Sequence, residues 1–276
     1  YLPEYKEQVK IGDMLYSMEQ KIQLNKRICA ELEAIAKTLY NYWFTQFDFP
    51  DENGKPYRSS GGEMVWNDQL KREIPKRWDV RPLSHVISSI NTGLNPRDNF
   101  ILGNGDIQYL TVKNLTTSGT IDFSGCDTVD EQAREIIHKR SDVSVGDILF
   151  ASIAPLGRCY LIQNPPEKWD INESVFSIRR NAFRVTSEFL YMYFMSDTFI
   201  KAATSSSTGS IFKGIRINTL LDIAAVIPPK DIVTAFTTQV KTLLALKEQK
   251  GTENRELTKL CDWLLPMLMN GQATVE

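Results

Sequence analysis

Apolar residues over the first 47 positions step by alternating fours and threes. The series runs Ile11, Leu15, Met18, Ile22, Asn25, Cys29, Leu32, Ala36, Leu39 and Trp43, with Asn25 its one polar seat. This heptad spacing predicts one long helix, about 65 Å at 1.5 Å per residue. Ile28 and Ile35 widen the apolar face beyond a two-strand seam. A single helix of that length cannot bury its stripe alone and needs a partner.

The partner is written at the other end of the chain. The opening pattern recurs 225 positions later: Pro3 matches Pro228, Ile11 matches Phe236, Leu15 matches Val240 and Met18 matches Leu243. Further on, Glu31-Leu32 matches Glu256-Leu257, Ile35 matches Leu260, Ala36 matches Cys261 and Leu39 matches Leu264. The second copy predicts a helix over about 230–270. Its middle, Lys247 to Glu256, has no large apolar residue and contains Gly251. A glycine there costs about 1 kcal/mol relative to alanine, so this helix is expected to be continuous but weak there, or locally broken.

Between the copies the period changes. Residues 48–74 are rich in Gly, Pro and polar residues and read as a surface connection, with a short hairpin around Asn53-Gly54. From Pro75 to Pro229 the elements are short and mixed. Trp78 to Ile90 combines a strand start with an apolar run. Residues 107–112, 148–153, 159–162, 174–178 and 223–227 read as strands, and Ser187 to Ala202 as a helix with Ser187 as N-cap. Turns are expected at Asn104-Gly105, Ser118-Gly119 and Val145-Gly146-Asp147. The expected fold class is α+β, divided into a long helix (1–47), a linker (48–74), a mixed-strand globular module (75–229) and a second long helix (230–276).

Composition narrows the function classes. With 276 residues, 42% hydrophobic and 24% charged, the chain is an ordinary globular sequence. No apolar run approaches a membrane span, so no membrane partner is expected. Cys29, Cys126, Cys159 and Cys261 are scattered, and the only histidines are His85 and His138. A metal site is therefore not expected, and a cytoplasmic location fits the cysteine usage. The chain opens on Tyr-Leu-Pro without an initiator Met or a signal peptide, which points to a fragment or a processed product. The formal net charge is −2, while residues 75–230 hold 17 Lys/Arg and 16 Asp/Glu, a net of +1. That argues against general basic coating of nucleic acid and leaves room for a local basic face.

No residue constellation predicts catalysis. There is no GxxxxGK[ST] loop and no GxGxxG after a strand, and Gly103-Asn104-Gly105 reads as a turn. Asn164-Pro165-Pro166 resembles the start of an amino-methyltransferase tetrad, but Glu167 stands where an aromatic is needed. Asp147 follows Gly146 in a turn without the companion carboxylates of a nuclease. No catalytic residue and no cofactor are expected.

A binding signature remains. Lys201 to Leu221 carries Lys201, Lys213 and Arg216 with no acid, together with Ser207, Thr208, Ser210 and the glycines 209 and 214. Cations, hydroxyls and exposed amides suit phosphate contacts; a flexible surface loop accounts for the same composition. A second acid-free stretch between Asp79 and Asp98 holds Arg81, Asn91, Thr92 and Arg97, and Lys113, Asn114 and Arg158 sit on turns at strand ends.

These segments taken in order resemble the DNA-specificity subunit of type I restriction-modification systems, at half length. LPEYKEQVKIGDMLYSMEQKIQLNKRICAELEAIAKTLYNYWFTQFDF is similar to that family's conserved helix. IPKRWDVRPLSHVISSINTG is similar to the entry of its target recognition domain. YLTVKNLTTSGTID and SVGDILFASIAPLGRCYLI resemble its recurring strands, and STGSIFKGIRINTLLDIAAVIPP its exit. The resemblance covers essentially the whole chain; single motifs are weak, and their order and spacing carry it. It implies two antiparallel coiled-coil helices flanking one recognition domain that reads one half of a bipartite site on double-stranded DNA.

The implied partners are modification (methyltransferase) subunits and, through the complex, restriction subunits. The subunit itself would be non-catalytic, while the assembled complex would be an adenine-N6 DNA methyltransferase and ATP-dependent endonuclease. The implied DNA-binding residues are Arg81, Asn91, Thr92, Arg97, Lys113, Asn114, Arg158, Ser207, Thr208, Ser210, Lys213 and Arg216. The implied coiled-coil and docking residues are Leu15, Met18, Ile22, Leu32, Leu39, Val240, Leu243, Leu257 and Leu264. One recognition domain stands where the family carries two, which leaves open a homodimer, a fragment or a recombination product. The alternative function is a scaffold or regulatory half-subunit that binds protein and not DNA.

Overall fold

A computed structural model describes residues 3–206 and 214–275. In chain order its elements are α1 (Tyr5–Tyr40), β1 (Met64–Asn67), β2 (Arg72–Pro75), β3 (Asp79–Pro82), β4 (Ile87–Thr92), β5 (Ile107–Leu110) and β6 (Asp127–Val129). Then come α2 (Glu131–Ser141), β7 (Ile148–Ala151), β8 (Cys159–Leu161), β9 (Trp169–Ile171), β10 (Val175–Arg180), α3 (Ser187–Phe194) and α4 (Asp197–Ser206). The series closes with α5 (Ile217–Leu221), β11 (Ala224–Ile227) and α6 (Lys230–Met269). They form two compact units: a helical one from residues 1–35 and 242–276, and an α+β one from residues 36–241.

In the helical unit α1 and α6 run antiparallel. Met18 Sδ lies 3.5 Å from Cys261 Sγ, Asn25 Nδ2 donates to Asn254 Oδ1 at 2.9 Å, and Lys247 Nζ reaches Glu33 Oε2 at 3.2 Å. As numbers rise along α1 they fall along α6. The heptad residues take the facing side: Ile11, Ile22, Asn25 and Leu32 are buried, with Leu15, Met18, Leu243, Leu257 and Leu264 half-buried. Ile28 is half-buried, but Ile35 is 53% exposed and does not widen the buried face.

The polar middle of α6 does not break the helix, which is continuous through Gly251, the first of the two expected alternatives. Its polar residues instead meet polar residues on α1. Besides Lys247–Glu33 and Asn25–Asn254, Asn254 Nδ2 donates to the Ile22 carbonyl at 3.2 Å and Lys21 reaches Glu253 at 3.4 Å. The Lys247 and Glu33 side chains are only 5% and 11% exposed. A charge that buried needs its counter-charge. An amide pair at a seam position favours one register, because slippage strands it against apolar side chains.

The α+β unit begins where α1 runs on into one π-helical turn, Asn41–Thr45, that turns Trp43 and Phe44 inward. Phe236, fully buried near the start of α6, is 4.9 Å from Phe44, 5.8 Å from Trp43 and 6.0 Å from Tyr40 between ring centroids. Phe189 of α3 and Trp78 extend this cluster from Phe44. Leu39 and Val240 belong to the same region, half-buried and buried.

Four small sheets follow. One is antiparallel in the order β4-β10-β7-β8, and another has the order β6-β5-β9 with β5 and β9 parallel. β3 pairs with β11 and β1 with β2. Leu110, Leu149, Ala151, Ile171 and Val175 form a core shared by the four-stranded and three-stranded sheets. The expected strands over 107–112, 148–153, 159–162, 174–178 and 223–227 form with shifted ends. The expected helix over 187–202 divides into α3 and α4, and its N-cap is Thr186, whose side chain accepts from Phe189 N. The Asn53-Gly54 turn closes a single Pro50–Pro56 bridge, while the longer hairpin of this connection is β1-β2.

Lys247→Ala is expected to lower stability by about 3 kcal/mol, because it removes the buried counter-charge that faces Glu33. Glu33→Leu combined with Lys247→Leu should restore most of that loss in urea unfolding.

Candidate nucleic-acid interface

The strand ends define two ends of the α+β unit. At the first, β7 begins beside the end of β10, and Asp147 is buried there. Its carboxylate accepts from Arg179 Nε and Nη2, both at 2.8 Å, and from Ser144 N at 3.0 Å. Arg179 also reaches Asp142. These acceptors hold the Arg179 guanidinium above its usual pKa, against the opposing effect of burial. Asp147 is thus a structural carboxylate whose lone pairs are spent within the fold.

At the opposite end four segments are joined through one turn, Asn172–Ser174. Asn172 N donates to the Leu110 carbonyl at 2.8 Å, and Gly93 N donates to the Asn172 carbonyl at 3.1 Å. Asn172 Oδ1 accepts from Ser174 N at 3.0 Å, closing an Asx turn. The Ser174 carbonyl accepts from Ser152 N at 3.1 Å and from Ser152 Oγ at 2.7 Å. The Ser152 carbonyl in turn accepts from Ile215 N at 2.9 Å, and Ile153 bridges to Gly214. The ends of β4, β5 and β7 and the segment 214–216 are joined through these bonds. Gly93 has no room for a side chain, since a Cβ there would lie 1.6 Å from the Ile171 carbonyl oxygen.

This hub gathers several of the expected DNA-binding residues. Thr92 and Asn91 lie half-buried at the end of the edge strand β4, and Lys113 is exposed three residues beyond Leu110. Arg158, half-buried, closes the loop after Ser152, with Nε donating to the Pro155 carbonyl at 3.3 Å. Arg216 is exposed next to Ile215, and Arg97 is exposed on the loop that follows Gly93.

Two expected residues do not join them. Arg81 lies on β3, paired to β11, with its guanidinium 3.6 Å from Asp79. Asn114 is buried and internally satisfied. Its Oδ1 accepts from Thr111 N at 2.8 Å and its Nδ2 donates to the Asp122 carbonyl at 2.9 Å. An asparagine in that position builds the turn that presents Lys113, and its amide is buried in that turn. Ser207, Thr208, Ser210 and Lys213 lie outside the described residues.

One constellation has no sequence signature. His138 Nδ1 is 3.1 Å from Asp170 Oδ2, and Ser141 Oγ donates to Asp170 Oδ1 at 2.6 Å. The serine bonds to the carboxylate and not to the imidazole, and it is fully buried. Nucleophilic catalysis requires a serine–imidazole bond and an accessible hydroxyl, so this arrangement braces α2 against β9. Burial pushes the Asp170 carboxyl up, opposed by its hydrogen bonds and His138. Among the described residues no cluster of His, Cys, Asp or Glu is placed to hold a metal ion, and no helix is long and apolar enough to cross a membrane.

A family model described as "Type I restriction modification DNA specificity domain" matches residues 75–258. The chain belongs to this family. The match spans β3 to β11, with the whole hub, and the larger part of α6. The type I restriction enzyme MjaIX specificity subunit of Methanocaldococcus jannaschii is 26% identical over 275 residues, covering 99% of this chain and 60% of that protein. The HindI specificity subunit of Haemophilus influenzae is 23% identical over 323 residues, covering 98% of this chain and 68% of that protein. The crystal structure of a type I restriction-modification S subunit from M. genitalium superposes with a TM-score of 0.59 at 15% identity, over 96% of this chain and 61% of that one. That similarity supports the fold, mixed sheets with long helices at the two ends of the chain. The chain spans about 60% of the length of the M. jannaschii specificity subunit.

Gly93, Ser152, Asn172 and Ser174 did not stand out in the sequence. The available signal was the Asn-x-Ser pattern at 172–174, which reads as an Asx turn before β10. Gly93→Ala is expected to cost about 3 kcal/mol through backbone displacement at Ile171, seen as a lowered melting temperature. Gly12→Ala, in open space on α1, should leave melting unchanged or slightly raised.

Proposed function

We propose that this chain is a DNA-recognition subunit of a type I restriction-modification complex and reads one half of a bipartite site. The observation that carries the reading is the joining, at the Asn172–Ser174 hub, of the segments that carry Lys113, Arg158 and Arg216, in a chain whose family is defined by DNA specificity. Cations at strand ends and turns suit the phosphate contacts that set register on a duplex. Thr92 and Asn91 at the neighbouring edge would lie beside the same DNA. Arg97 belongs to the same proposed surface, while Ser207, Thr208, Ser210 and Lys213, outside the described residues, are proposed as DNA contacts on the sequence alone. Arg81 and Asn114 do not, for the reasons given above.

In this reading the chemistry belongs to partners. Methyltransferase subunits would modify adenine at N6, and restriction subunits would supply translocation and cleavage. The apolar residues that the α1–α6 pairing leaves outside, Tyr16, Leu260 and Trp263 among them, are the proposed docking surface. The seam residues Leu15, Met18, Ile22, Leu32, Leu257 and Leu264 would hold the two helices together and so act on docking indirectly. A second half-site requires a second module, which a homodimer would supply.

Methylome sequencing of cells carrying this chain with its modification subunits tests the reading. One interrupted N6-adenine motif is expected, and the absence of any new motif would contradict the proposal. At the level of binding, Lys113→Ala, Arg158→Ala and Arg216→Ala together should reduce the slope of log affinity against log salt by about 3, roughly 0.9 per lost phosphate contact. Affinity should fall for all sequences alike.

A further inference from the structure

We infer that Glu173 is a base-reading residue, accepting a hydrogen bond from the exocyclic amino group of a cytosine or an adenine in the major groove. This inference rests on the DNA-recognition reading above and names one specificity determinant within it.

Glu173 is the tip of the turn on which the hub is built. The segments joined there, 92–93, 110–114, 151–158, 172–175 and 214–216, contain the cations Lys113, Arg158 and Arg216, and Glu173 is their sole carboxylate. It is exposed, and no described residue forms an ion pair or hydrogen bond with its side chain. The fold does not explain a carboxylate at this place by an internal contact, in contrast to Asp147 at the other end of the unit.

A carboxylate set among phosphate-binding cations is repelled by phosphate and weakens non-specific binding. DNA offers it few favourable partners. In the major groove these are the N4 amino group of cytosine and the N6 amino group of adenine, and a glutamate or aspartate accepting from cytosine N4 is a recurrent pairing. The turn is also rigid. Asn172 is tied to β5 and β4 through its backbone, Ser174 to β7, and the two to each other by the Asx bond. An acceptor-only side chain on a rigidly held backbone suits base discrimination better than general adhesion.

The test is selection of duplex DNA from a library of random sequence by the purified chain, run for wild type, Glu173→Gln and Glu173→Ala. Wild type is expected to enrich a motif with cytosine or adenine at one position. Glu173→Ala should flatten that position, with discrimination falling roughly 5- to 150-fold, and leave the rest of the motif intact. If the base is cytosine, Glu173→Gln should turn the preference towards adenine, whose N6 and N7 suit an amide. If it is adenine, Glu173→Gln should keep it.

A second arm leaves the protein unaltered. A duplex carrying 2-pyrimidinone for that cytosine, or purine for that adenine, lacks only the amino group. It should bind wild type more weakly by a similar factor and bind Glu173→Ala without loss. Identical motifs from all three proteins, or wild-type binding indifferent to the missing amino group, would overturn the assignment of Glu173 alone. Failure of wild type to enrich any motif would overturn the DNA-recognition reading and this inference with it.

Discussion

The end of the α+β unit proposed to meet DNA depends on backbone hydrogen bonding at a single turn. Asn172–Ser174 accepts or donates to β4, β5 and β7, and through Ser152 to the segment 214–216. None of these segments is adjacent in sequence to all the others, and each is too short to hold its place alone. Gly93 is the steric condition for the arrangement, because any side chain there would occupy the Ile171 carbonyl. The cations of the proposed interface take their positions from this turn. Arg158 ends the loop that Ser152 begins, Arg216 follows Ile215, and Lys113 follows the strand that Asn172 caps.

The two ends of the sheet divide the polar chemistry between them. At the start of β7, Asp147, Arg179 and Asp142 satisfy one another, and the end is closed. At the hub the backbone groups are satisfied, but the side chains of Lys113, Glu173 and Arg216 face outward. The same distinction runs through the helical unit. Lys247 and Glu33, and Asn25 and Asn254, pair across α1 and α6, and the apolar residues left outside sit on the solvent face. The buried polar layer fixes register, and the outer apolar positions remain available.

How far the sequence revealed this follows from the range of each interaction. The α1 seam was legible because heptad spacing is local, and the copy 225 positions on named its partner. The polar stretch of α6 left a break open as an alternative, and the helix is continuous there. Helix propensity at Gly251 is local, while the compensating contacts to Glu33, Asn25 and Ile22 lie more than 200 residues away. α2 went unseen because only Ala133, Ile137 and Ser141 of its eleven residues are buried, and the charged remainder hides the stripe. Asn114 looked like a DNA contact because its type suits one, yet its amide is consumed by its own turn. The hub was illegible because backbone hydrogen bonds leave no mark on residue type, apart from a glycine and an Asx turn.

The central claim is that DNA lies against the Asn172–Ser174 end of the α+β unit. Hydrogen–deuterium exchange on the chain, with and without a duplex carrying its selected motif, addresses it directly. Slowed exchange on addition of DNA is expected in segments 91–97, 111–114, 152–158, 172–175 and 214–216, with 142–148 and 179–181 unchanged. Protection confined to the Asp147–Arg179 end, or to the outer faces of α1 and α6, would contradict the account.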